Sequence, residues 1–129
     1  MFFNKIKFWL NFFMKVKLKF SYPQKKKILI FDNELSDVNT KILGLKNYEV
    51  LHTRKEVYNL PILRDLLLEL KFSQLDYYKK FIEKSKAELI ITFIDNNFVF
   101  YKLKKFFNNK KFIAIQNGHR MAYGDIFGY

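Results

Sequence analysis

The segment Gln116-Asn117-Gly118-His119-Arg120 gathers more chemically capable side chains than any other stretch of the chain. Asn117-Gly118 favours a tight turn with positive φ, which brings exposed backbone N–H groups close to whatever lies beside it. His119 can transfer protons near neutral pH, and Arg120 can hold a phosphate or carboxylate through two parallel hydrogen bonds. Two further polar clusters, Asp32-Asn33 and Asp95-Asn96-Asn97, each follow a short apolar run. Asp and Asn in such places also suit helix N-caps, where a side-chain oxygen meets free backbone N–H groups. His52 is the only other His. One His from each of two segments is a poor ligand set, and no metal is expected.

These clusters need elements to position them. Ile28 to Asp32 (ILIFD) reads as a strand buried on both faces. A helix follows from Glu34 to about Leu43, with Asp32 or Asn33 as its N-cap, Leu35, Val38 and Ile42 facing inward, and Gly44 as its stop. Tyr48 to Thr53 is the next strand. Leu60 to Lys71 forms a Leu-rich helix with Pro61 in its first turn, where a missing N–H costs little. Leu75, Tyr78, Phe81 and Ile82 mark another helix, Leu89 to Ile94 a strand, Phe98 to Phe107 a helix and Phe112 to Gln116 a strand. Alternation of this kind predicts an α/β fold, a Rossmann-like three-layer sandwich with a parallel sheet of about four strands. Ligands of such sheets bind beyond the carboxyl ends of the strands, and all three polar clusters sit at such ends.

Residues 1–25 differ in character. Phe2, Phe3, Ile6, Trp9, Leu10 and Phe13 recur at helical spacing opposite Asn and Lys, which predicts a basic amphipathic N-terminal helix. From Met14 to Tyr22 the apolar period changes to two, as in a strand or a continued surface element, and Pro23 ends it. Residues 1–27 hold eight Lys and no acid, so most of the formal charge of +12 belongs to this end. Aromatic side chains beside Lys suit an anionic membrane surface, and salt-sensitive binding there is the expectation. Nucleic acid is a weaker partner candidate, because no RNA- or DNA-binding motif accompanies the charge. Lys, Asn, Ile, Phe and Tyr together supply 68 of the 129 residues, the bias of AT-rich codons, which also discounts the charge as a signal.

Absences narrow the choice. The chain has no Cys, hence no disulfide framework and no cysteine nucleophile. It contains no GxGxxG, no GxxxxGK[ST] and no G-x-S-x-G, so the usual dinucleotide, P-loop and serine-hydrolase signatures are missing. No resident cofactor is expected, no catalytic residue is assigned, and no apolar run reaches the ~18 residues of a membrane span.

The runs KKILIFDNE, YEVLHTR, LPILRDLLLEL, LIITFIDNNFVFYKLKKFF and FIAIQNGHR resemble the N-terminal half of bacterial surface carbohydrate biosynthesis proteins, over about residues 26 to 124. That family is similar to glycosyltransferases of the GT-B architecture. The resemblance implies that residues 26–129 form the N-terminal, acceptor-side Rossmann-like domain of a longer two-domain protein. A glycan or lipid-linked acceptor would meet the edge formed by Asp32, Asn33, Asp95, Asn96, Asn117, Gly118, His119 and Arg120. The nucleotide-activated donor would belong to a C-terminal domain beyond Tyr129, so the chain alone is expected to transfer no sugar. The implied location is the cytoplasm, peripheral at the inner face of the membrane. The competing reading is a non-enzymatic receiver-like or flavodoxin-like binding module, which Asp32, Glu34 and Asp95 partly imitate.

Overall fold

A computed structural model describes residues 3, 7, 10, 11, 14–54 and 56–116. Most of the expected N-terminal helix, and the cluster Asn117 to Arg120, lie outside the described residues.

The elements run β1 (Lys17–Lys19), β2 (Ile28–Phe31), α1 (Ser36–Ile42), β3 (Tyr48–Leu51), β4 (Val57–Asn59), α2 (Leu60–Leu68), α3 (Gln74–Ser85), β5 (Leu89–Thr92), α4 (Phe98–Lys104) and β6 (Lys111–Ala114). Four strands form one parallel sheet in the order β3-β2-β5-β6. Ile28 stands opposite Tyr48 on one side and Leu89 on the other, and Leu89 stands opposite Lys111. Parallel neighbours cannot be joined by hairpins, so each connection crosses over and carries one or more helices. The result is a Rossmann-like α/β fold, as the alternation of apolar runs and amphipathic segments requires.

Side chains alternate across the sheet. Leu29, Phe31, Leu51 and Ile90 face α2, α3 and α4, which contribute Ile62, Leu66, Phe81, Ile82, Phe100 and Leu103 to one core. Ile30, Ile91 and Phe93 form a smaller cluster with half-buried Tyr48, Val50 and Ile115 on the opposite face. Phe31 packs edge-on against Tyr78 and tilted against Phe100, with centroid separations of 5.5 Å in both cases.

Outside this sheet, β1 and β4 make a separate parallel pair, Lys17 opposite Val57 and Lys19 opposite Asn59. The alternation from Met14 to Tyr22 contains β1, whereas β4 is three residues long and too short to show a period. Asn59 ties the pair to the main core. Its amide N–H donates to the Tyr77 hydroxyl at 2.9 Å, its side-chain oxygen accepts from that hydroxyl at 3.2 Å, and its Nδ2 donates to Ser21 O at 2.8 Å. Burial pushes the Tyr77 phenol up to about 12, so it remains a donor throughout the physiological range.

Helix α1 corrects the sequence expectation. Leu35, Val38 and Ile42 face outward, Val38 and Ile42 at 60% and 74% exposure, while Ser36 and Thr40 are buried. The reason is local. Leu35 itself is the N-cap, in left-handed conformation at φ 60°, and neither Asp32 nor Asn33 caps the helix. The helix therefore starts late, and its register carries the two hydroxyls inward. Both are satisfied at once, Ser36 Oγ donating to Asn33 O at 2.8 Å and Thr40 Oγ1 to Ser36 O at 2.6 Å, so their burial costs little. Other boundaries shift more modestly: α2 stops at Leu68, α4 at Lys104, β3 at Leu51, β5 at Thr92, and β6 spans Lys111–Ala114.

Two substitutions distinguish the faces. Ile82→Ala, in the fully buried centre of α3, is expected to cost about 2–5 kcal/mol in urea unfolding. Ile42→Ser should cost less than about 0.5 kcal/mol. A large loss from Ile42→Ser would mean that α1 packs in the opposite orientation.

Candidate functional site

The sheet order creates one favoured place for a ligand. From β2 the chain crosses to β3 on one side, and from β3 it returns across to β5 on the other, so the loops after β2 and β5 diverge and leave a crevice between them. A cleft of about 380 Å³ lies there, lined by Glu34 and Leu35 after β2, Arg54 after β3, and Phe93, Ile94, Asp95 and Asn96 after β5.

Each loop is fixed by its own sequence. Asp32 follows Phe31 directly and adopts φ 77°, a conformation Asp tolerates better than most residues. Its N–H donates to Leu51 O at 3.0 Å, and its buried carboxylate accepts from the Glu34 N–H at 3.1 Å, closing a tight Asx-type turn. In the loop after β3, Thr53 O accepts from the Tyr78 hydroxyl at 3.0 Å and from Gln74 Nε2 at 3.4 Å, so α3 holds the residue preceding Arg54. Burial raises the Tyr78 phenol far above its ordinary value, with Tyr58 and Asp32 acting in the same direction, which keeps this donor protonated. In the loop after β5, the Ile94 N–H donates to Thr92 Oγ1 at 3.2 Å, the Tyr101 hydroxyl donates to Asp95 O, and the Asn97 side chain caps α4 by accepting from the Val99 N–H at 3.0 Å.

Arg54 joins the first two loops. Its Nη2 contacts Glu34 Oε2 directly, and its Nε lies 3.6 Å from Asp32 Oδ1. Two carboxylates, Asp32 and Glu34, thus flank a single guanidinium, and Asp95 lines the same cleft. The cleft is rich in acceptors with one cation among them, and Asn96 adds an amide that can both donate and accept. Such a surface suits the hydroxyl groups of a neutral, polyhydroxylated molecule, with Leu35 and Ile94 offering an apolar edge to C–H groups. An isolated phosphate or diphosphate would meet more repulsion than attraction. Among the described residues, no three His, Asp or Glu side chains come together in a way that could hold a metal ion.

Of the residues expected from sequence, Asp95 and Asn96 line the cleft, and Asp32 adjoins it beneath Arg54. Asn33 serves the start of α1 instead, accepting from Ser36 Oγ through both its backbone and side-chain oxygens. Asn117, Gly118, His119 and Arg120 lie outside the described residues. Sequence reasoning missed Glu34 and Arg54 as a pair. Their signal was there, one acid and one base placed just beyond the ends of neighbouring strands, yet opposite charges twenty positions apart point to each other only once the strand order is known.

The chain matches no known protein family, no characterised protein and no solved structure. No helix among the described residues is long and apolar enough to cross a membrane.

His52, beside this site, has a measurable signature. Its Nδ1 is buried without a hydrogen-bond partner among the described residues and lies 3.6 Å from Glu56 Oε2. Burial lowers the imidazole below its ordinary value and Lys19 adds to that, outweighing Glu56 and Glu49. The folded chain therefore resists a proton that the unfolded chain accepts, so stability is full above about pH 6.5 and falls as pH drops below it toward the lowered folded value. His52→Gln should flatten the decline in urea midpoint between pH 7.5 and 5.5. An unchanged slope would show that His52 titrates normally.

Proposed function

We propose that this chain is the acceptor-side domain of a glycosyltransferase-like protein of surface polysaccharide biosynthesis, holding a glycan acceptor in the cleft between the ends of β2 and β5. One observation carries the proposal: a polar cleft at the carboxyl edge of the sheet presents Glu34, Asp95 and the Asn96 amide beside Arg54, whose guanidinium is paired with Glu34 and Asp32. Sugar hydroxyls are strong partners for carboxylate acceptors, and several such bonds give both affinity and orientation. The Rossmann-like fold is of the type expected from the resemblance to surface carbohydrate biosynthesis proteins, and fold alone hosts many functions, so the cleft bears the weight. A nucleotide-activated donor would be the business of a further domain.

The receiver-like alternative requires an acidic pair open at the end of the first sheet strand. Here Arg54 contacts both Asp32 and Glu34, which argues against that role.

A glycan array probed with the full chain at high salt tests the reading. Retention on neutral, hydroxyl-rich glycans is expected, with a loss of at least about tenfold in Asp95→Ala and in Glu34→Ala, the scale of one charged hydrogen bond. Chains of unchanged urea stability that bind no glycan, or bind equally well in both variants, would contradict it.

A further inference from the structure

Helix α2 buries Ile62 and Leu66 but turns Leu67 and Leu68 to solvent, and the chain after it exposes Leu70 and Phe72. Leu68 and Phe72 are exposed to 76% and 75%. Single exposed Leu residues are ordinary, but four large apolar side chains within positions 67–72 are not. The patch continues along the helix into a groove of about 420 Å³ formed by Leu60, Pro61, Leu63, Arg64 and Leu67 together with Phe20, which is 83% exposed and follows β1.

Cations outnumber acids around this face. Asp65 lies 3.1 Å from Arg64 Nη2 and 3.9 Å from Lys84 Nζ, and Glu69 pairs with Lys71 and Lys80. Asp65 and Glu69 therefore each meet two cations, and over residues 60–85 five Lys and Arg stand against four Asp and Glu. Phe20 belongs to residues 14–27, which hold six Lys and no acid and run beside α2 and α3, the Tyr22 hydroxyl donating to Asp65 Oδ2 at 2.6 Å and the Lys26 N–H to Ser85 O at 3.1 Å. Large apolar side chains projecting from a surface with excess ammonium groups suit the boundary of an anionic bilayer, where the apolar groups enter the acyl region and the cations meet head groups. A second copy pairing through the same face would bring cations against cations.

We infer that the face formed by Phe20, Leu67, Leu68 and Phe72 docks on an anionic lipid surface. It adds the α2 face to the basic N-terminal segment of which Phe20 is part, and it stands or falls independently of the glycan cleft. Co-sedimentation of the full chain with phosphatidylglycerol-containing and with pure phosphatidylcholine vesicles tests it, using Leu67→Ser/Leu68→Ser/Phe72→Ser and Phe20→Ser. All four positions are exposed, so urea stability should stay within about 0.5 kcal/mol. Wild type should partition into the anionic vesicles, less so as salt rises, and the triple variant should lose at least about tenfold. Equal partition of the triple variant, equal binding to both vesicle types, or no binding by wild type would overturn the inference. So would sedimentation velocity showing a lipid-free dimer that the triple variant abolishes.

Discussion

Strand β2 carries a parallel partner on each edge, β3 and β5, so the chain leaves its carboxyl end toward one side and comes back on the other. Neither connection can fill the space between them. The loops bearing Asp32 and Glu34 and those bearing Asp95 and Asn96 are thereby held at one edge of the sheet, though the sequence separates them by about sixty positions. The cleft is a consequence of strand order before it is a consequence of any side chain.

The polar edge begins directly after one buried ring. Phe31 is fully buried, lies at the last position of β2, and touches rings from both α3 and α4. Aromatic contacts of this geometry add about 0.5–1.5 kcal/mol each beyond the area they bury. Because Asp32 follows immediately, the ring that anchors the core also sets where the polar edge begins. The same helix α3 reaches outward in two directions, through Tyr78 to Thr53 O in the loop before Arg54 and through Tyr77 to Asn59 at the end of β4. Two phenols kept protonated by burial thus connect the core, the site loop and the second sheet.

Much of this was legible in the sequence. ILIF and LIIT are apolar on both faces, and only strands at the centre of a covered sheet need that; the helices around Ile62, Phe81 and Phe100 show the matching period. The orientation of α1 was not legible, because Leu35, Val38 and Ile42 form a credible inward stripe and only the left-handed turn at Leu35 rotates it outward. The identity of the site was half legible. Asp95 and Asn96 follow from their position after a strand, while Arg54 gains its meaning from Glu34 and Asp32, contacts that exist only after β2 and β3 have paired. Strand β4 is legible only through its partner, since Val57–Asn59 is too short to carry a pattern of its own.

The crevice between β2 and β5 is where a glycan is proposed to sit. Paramagnetic broadening by a nitroxide-labelled neutral oligosaccharide, read on the amide spectrum of the full chain, tests this most directly. The expected result is joint broadening of amides 33–35, 54 and 94–97, three stretches distant in sequence and adjacent only through this sheet order. Broadening confined to the α2 face, or spread evenly over the surface, would contradict it.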